Sequence, residues 1–241
     1  YNAFQFDECS NDEKTNPHIG GGRMVKYVDN KILLSVGSYG VYKYPQDKNS
    51  IFGKLLSLDL ENNTHELVSI GHRNPQGLYY QINDDVIILT EHGPKGGDEI
   101  NILIGEDKEK PLKNYGWPII VGDSNDTVYT NPILHSGDIT WAPSGLLYYD
   151  SDKISEWKGK FLVATLRGEH VMMLDLDLEN GVVNSAEKIF QGDYGRIRNL
   201  VQSPNGDVFM LTSNGNNDKI LRISTFESVP VSVDANELTT R

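Results

Sequence analysis

Residues 71–103 read GHRNPQGLYYQINDDVIILTEHGPKGGDEINIL. Arg73, Asn74 and Gln76 stand together ahead of an apolar segment. The returning segment, Val86 to Thr90, runs into Glu91-His92-Gly93-Pro94, a turn that cannot continue a ladder because proline has no N–H to give it. Two polar clusters therefore flank one hairpin. In a blade-like sheet with this hairpin at its centre, both clusters emerge at strand ends, where a rigid scaffold positions functional loops.

The same pattern recurs along the chain. An apolar strand, a short polar turn and a second apolar strand running into a glycine-containing loop occur at Met24 to Gly37, Leu78 to Gly93, Leu146 to Gly168 and Leu200 to Gly215. With Gly22, Gly77, Gly145 and Asn199 taken as equivalent, the copies stand 55, 68 and 54 residues apart. Blades of four strands repeat at about 40–50 residues, so the spacing is that of a β-propeller. Outer strands are expected at Gly53 to Leu60, His65 to Ser69, Ile100 to Ile104, Val171 to Leu178 and around Val182 and Val183. The best helical window, Ser151 to Lys158, is short and lacks a sustained apolar stripe.

Composition narrows the function classes. The 241 residues carry a net charge of −12, which repels nucleic-acid phosphates and anionic headgroups. No apolar run approaches the roughly 20 residues of a membrane span. The single cysteine, Cys9, excludes an internal disulfide framework and offers no metal-ligand spacing.

Several motifs then occur in one order: NPHIGGGR from Asn16, GHRNPQGL, TEHGPKGGDEINIL, NYGWP from Asn114, WAPSG from Trp141 and GRIRNL from Gly195. Together they resemble the soluble glucose dehydrogenase and aldose sugar dehydrogenase family, quinoproteins built as six-bladed β-propellers. The likeness runs from about His18 to Ile223. It implies an all-β chain supplying about four blades, with residues 1–224 in the propeller and 225–241 as an extension or linker. It also implies that N-terminal blades of the family pattern lie outside this sequence, completed by another segment or chain, with Tyr1 to Phe6 ending a blade begun upstream. Calcium and pyrroloquinoline quinone are the implied cofactors, a sugar and an electron acceptor the implied partners, and the periplasm or cell exterior the implied location.

Residue by residue, the resemblance assigns the carbonyls of Gly93 and Pro94 to a calcium ion that also holds the quinone. Ca²⁺ takes about six to eight oxygen ligands, and a rigid turn can aim two carbonyls without adding charge. Glu99 and Tyr115 match a second, structural calcium site, with the insertion Ile104 to Leu112 lengthening the segment between them. Arg73, Asn74, Gln76, Arg196 and Arg198 match quinone-binding positions. Their guanidinium forks suit carboxylates, and their amides suit ring oxygens. Arg167 stands near a position where glucose-oxidising members place a lysine.

His18 matches the base that takes the anomeric hydroxyl proton as hydride passes to the quinone. Two departures stand beside it. Three glycines and Ile19 separate His18 from Arg23, and Ser38 occupies the place of an aspartate that supports the histidine in the family. Blander readings stay open at this level: an ordinary turn at Gly93-Pro94, solvated charge at Asp98-Glu99, cross-strand salt bridges for the arginines, and a non-catalytic propeller serving as a binding or scaffold module.

Overall fold

The structure is a computed structural model, and it describes residues 15–105 and 112–225. It is all-β, in four sheets placed one after another along the chain, antiparallel except where one short crossing strand joins the first. The first sheet comprises β1 (Gly21–Lys26), β2 (Lys31–Val36), β3 (Lys54–Asp59) and β4 (Thr64–Ile70). The second has β5 (Pro75–Gln81), β6 (Val86–Glu91) and β7 (Glu99–Leu103). The two-residue strand β8 (Lys113–Asn114) crosses back to pair with β4 in parallel, and β9 (Leu134–His135) returns to β7. The third contains β10 (Pro143–Tyr149), β11 (Lys160–Thr165), β12 (Val171–Asp177) and β13 (Val182–Ile189); the fourth, β14 (Ile197–Gln202), β15 (Val208–Thr212) and β16 (Ile220–Ile223).

Each sheet is a blade, and each begins with its inner strand: β1 packs on β5, β5 on β10 and β10 on β14. The expected strands are thus present, with β13 running on past Val183 to Ile189 as a largely exposed outer edge. The helical window reduces to one 3-10 turn at Ser155–Trp157.

The apolar runs follow from burial on both faces. Side chains alternate sides along a strand, so a blade between two others needs apolar residues at every position. Along β6, Ile87 and Leu89 face Leu33 and Leu55 of the first blade, whereas Val86 and Ile88 face Phe161 and Val163 of the third. Along β11, Leu162 and Ala164 turn to Ile197, Leu200 and Met210 of the fourth. One lysine breaks the apolar rule: Lys54 is fully buried, and its ammonium donates to the carbonyls of Tyr44 (2.7 Å), Pro45 (3.1 Å) and Phe52 (2.7 Å).

At their starts the inner strands approach one another too closely for side chains. A Cβ on Gly77 would stand 2.3 Å from Ser144 O, and one on Gly145 would stand 2.1 Å from Asn199 Oδ1 and 2.8 Å from Asn199 Cα. In the first blade this role falls to Gly21 rather than Gly22. A Cβ on Gly21 would stand 2.8 Å from Gly37 N and 3.2 Å from Pro75 O, while Gly22 opens to free space. The glycine triplet allows that one-residue difference. Hydroxyls reinforce two of these seams, Ser35 donating to Pro75 O at 3.0 Å and Thr90 to Ser144 O at 2.8 Å.

Every inner pair also slips register at this end, between Gly21 and Met24, Pro75 and Gly77, Pro143 and Leu146, and Ile197 and Asn199. Such bulges re-aim the side chains they carry. Gly145→Ala is expected to destabilise the protein by about 1–3 kcal/mol through overpacking of this seam, read as a lower melting temperature with the four-sheet circular dichroism signature retained.

Candidate functional site

The bulges bring together polar residues from all four blades. Arg23, Gln76, Ser144 and Arg198 lie within or beside the register slips. Arg23 Nε donates to Gln76 O at 3.1 Å, and Arg198 donates to Gln76 Oε1 at 2.9 Å and to Ser144 Oγ at 3.1 Å. Gln76 Nε2 passes the chain on to Asn74 Oδ1 at 3.1 Å. Asn74 also accepts from Gly21 N–H and donates to the His18 carbonyl at 3.3 Å. Arg196 sits just ahead of β14 and donates to Ser213 O at 3.1 Å.

Charge in this cluster is one-sided. Burial pushes the Arg198 guanidinium below its usual value, and Arg196 and Arg23 push it further in the same direction. Arg23 is likewise lowered by burial. Among the described residues none of these three arginines pairs with a carboxylate, so the salt-bridge alternative does not describe them.

Beside the cluster lies the loop after β6. Asp98 is buried and organises it, accepting from Gly93 N–H at 2.9 Å and from the N–H groups of Trp141 and Ala142. The Arg73 guanidinium donates to the carbonyls of His92 (3.0 Å) and Gly93 (2.8 Å) and lies over the Trp117 ring at 5.4 Å. Burial lowers Arg73, against the opposing pull of Glu91, Tyr42 and Asp98. The His92 imidazole, also lowered chiefly by burial, has Asn74 Nδ2 3.4 Å from its Nδ1.

A small cavity is lined by Arg73, Gly93, Pro94, Trp117 and two carboxyl groups, Glu91 and Glu99. Glu99 accepts from Gly122 N–H at 2.7 Å and from Asn101 Nδ2 at 3.2 Å. Burial first, then the neighbouring Glu91, raises its carboxyl to about 8. Asp98 and Glu99 are therefore not solvated loop charge.

The remaining expected residues are placed as follows. Tyr115 is buried behind this cavity, its hydroxyl donating to Ile102 O at 2.7 Å and its ring lying on His72. Pro94 is exposed at the turn. Arg167 is exposed after β11, where its N–H bonds Trp141 O, and its guanidinium does not enter the network. His18 lies in the 3-10 turn Pro17–Ile19 with its side chain exposed. Ser38 is buried and accepts from Gly40 N–H. Cys9, the segment Tyr1 to Phe6, most of the 104–112 insertion and nearly all of the 225–241 tail lie outside the described residues.

The family model for glucose and sorbosone dehydrogenases matches residues 6–222. The chain belongs to the glucose/sorbosone dehydrogenase family. The aldose sugar dehydrogenase of Escherichia coli K12 is 28% identical over 87% of this chain, which covers 61% of that protein. Among solved structures, a Thermus thermophilus oxidoreductase described as a glucose dehydrogenase superposes with a TM-score of 0.70 at 30% identity. That match covers 86% of this chain and 66% of the other. The quinone-bound aldose sugar dehydrogenase of Streptomyces coelicolor shares the fold, with a TM-score of 0.70 at 24% identity over 85% of this chain and 61% of that one. The chain thus spans less than two thirds of the length of the E. coli relative.

Within this family chain, sequence reasoning passed over Arg23 and Ser144. A strict alignment of the four repeats carries the signal, since Gln76, Ser144 and Arg198 each precede the equivalent glycine or asparagine. Arg23 escapes it because it follows the glycines of the first copy instead of preceding them.

Among the described residues no helix is long and apolar enough to cross a membrane. Glu99 generates a pH test. Its folded value lies above the unfolded carboxylate value, so the folded state holds the extra proton and stability falls as pH rises from about 4.5 to about 8. Glu99→Gln should remove up to about 1.4 kcal/mol per pH unit of that slope, measured as the difference between urea unfolding curves of variant and wild type across the window.

Proposed function

We propose that this chain carries the quinone- and sugar-binding face of a pyrroloquinoline quinone-dependent aldose dehydrogenase. The supporting observation is the convergence of Arg23, Arg196 and Arg198, half-buried and without carboxylate partners among the described residues, beside Arg73, Asn74 and Gln76. Buried cations that repel one another are relieved by an anion, and planar forks with adjacent amides suit a flat molecule edged with carboxylates and carbonyl oxygens. The donor set fits the quinone. When bound, that group supplies a two-electron acceptor for hydride.

In the neighbouring cavity a cation would meet the Glu99 carboxyl and relieve its repulsion with Glu91, whose own two oxygens are taken by His72 and the Arg73 N–H. The Gly93 carbonyl contributes a further oxygen there, shared with Arg73. Glu99 would hold the ion as carboxylate and release its proton on loading. His18, tethered to the cluster through Asn74, accepts the proton of the sugar's anomeric hydroxyl. Arg198 and Gln76 orient the reacting pair, and Trp117 with Ile120 and Val121 walls the cavity.

One observation favours a second reading, a binding propeller without turnover: among the described residues no carboxylate bonds His18, and buried Ser38 accepts from Gly40 N–H. Titration with pyrroloquinoline quinone and calcium, followed by dye reduction with glucose and other aldoses, separates the two. Tight binding with dye reduction is expected; binding without reduction selects the second reading, and failure to bind the quinone overturns both. Arg198→Ala should weaken quinone binding about 10- to 150-fold, the worth of one charge-assisted hydrogen bond of about 1.5–3 kcal/mol, measured by equilibrium titration of quinone absorbance.

A further inference from the structure

Behind the arginine cluster runs a buried chain that the reaction does not use. Ser69 Oγ lies 2.7 Å from His72 Nε2, and His72 Nδ1 lies 2.7 Å from Glu91 Oε2. The other carboxyl oxygen, Oε1, accepts a short hydrogen bond from the Arg73 backbone N–H. Ser69 and His72 are fully buried, and Glu91 is 4% exposed.

The connectivity is that of a serine–histidine–acid triad, in which the acid orients the imidazole and the imidazole activates the hydroxyl. A nucleophile must meet its substrate, however, and Ser69 is sealed inside the sheet on β4, paired between Leu55 and Lys113. Hydrolysis is excluded by access alone. The chain must act on what it holds.

What it holds is the backbone that delivers Arg73 and Asn74. Glu91 takes two successive residues of the β4–β5 connection, one with each oxygen. The same connection then returns the contact: Asn74 O accepts from His92 N–H at 3.2 Å, and Arg73 reaches the His92 and Gly93 carbonyls. Tyr115 covers the other side of His72, ring centroids 5.0 Å apart. We infer that Glu91, acting through His72 and the Arg73 amide, is the positioning residue that sets Arg73 and Asn74 for anion binding. The inference rests on the functional reading above.

Its sign distinguishes it from a charge effect. Glu91 is a negative group beside Arg73. Were it only a charge, removing it would strengthen the binding of an anion. As a clamp, its removal weakens binding, because two buried donors are released and the guanidinium loses its fixed origin.

Glutamine sharpens the test. Its single acceptor oxygen must face the Arg73 N–H, so its amide nitrogen faces His72 Nδ1. That nitrogen must then be bare, and His72 Nε2–H must donate to Ser69 Oγ. Every bond is restored with the charge gone.

Glu91→Ala and Glu91→Gln would therefore be titrated with pyrroloquinoline quinone, in parallel with ¹⁵N spectra of the imidazoles and hydrogen exchange of the Arg73 amide. The expected results are at least tenfold weaker binding and a fast-exchanging Arg73 amide in Glu91→Ala. Glu91→Gln should retain wild-type affinity or better, with the His72 proton moved from Nδ1 to Nε2. Wild-type or tighter binding by Glu91→Ala overturns the inference. Should that variant not fold, a tenfold loss in Glu91→Gln, or an unmoved His72 proton, overturns it instead. Quinone binding absent from the wild type refutes the functional reading; the exchange and ¹⁵N signals then judge the clamp without it.

Discussion

Around the axis of this protein there is no room for side chains where neighbouring inner strands begin. Glycine at 77 and 145 lets β5 come against β10 and β10 against β14, with the next atom only 2.1–2.3 Å from where a Cβ would be. That intimacy forces the accompanying bulges, since a strand pressed so close cannot keep an even ladder on both sides. The bulges in turn carry Arg23, Gln76, Ser144 and Arg198. Packing and chemistry at this end of the molecule are consequently one constraint. Residues as far apart in sequence as 76 and 198 share a hydrogen bond because their strands flank β10 on either side.

A second level of order sits behind the first. Asp98 spends its oxygens on backbone amides and Glu91 spends both of its own on His72 and Arg73, so the two polar loops flanking the β5–β6 hairpin are locked from beneath by buried acids. Glu99 stands apart. It retains an unfavourable burial that a cation would relieve, and its raised proton affinity records that frustration. Three acids within nine residues thus meet three different fates, and for Glu99 burial and the neighbouring Glu91 outweigh the two N–H groups it reaches.

Much of this architecture is legible in the linear chain. The glycine-bounded hairpins mark the blades, and alternation around Asn62-Asn63 marks an outer pair whose first strand faces the core and whose second meets solvent. What escapes reading is long-range. Lys54 looks like a solvent residue on a strand, yet three loop carbonyls converge on its ammonium. The parallel pairing of Lys113 and Asn114 with β4, which swings Trp117 over Arg73, depends on a chain crossing between blades that no local pattern encodes. Arg167 lies on the same kind of loop as its expected partners, but its backbone is tied to Trp141 and its side chain reaches water. In the sequence Asn74 and Gln76 flank Pro75 and Arg198 precedes Asn199, so these three fall at the inner-strand starts that the repeats mark.

The doubly covered blades carry a cost in biogenesis. Segments such as VIIL at 86–89 and FLVA at 161–164 are buried between finished blades, but on a ribosome the second blade emerges before the third exists to cover it. Until then, one whole apolar face lies bare, with the β-propensity and lack of charge that favour intermolecular strand stacking. Nascent blades of this protein are therefore natural clients for chaperones, and slower translation between blades would lengthen the interval in which they need one.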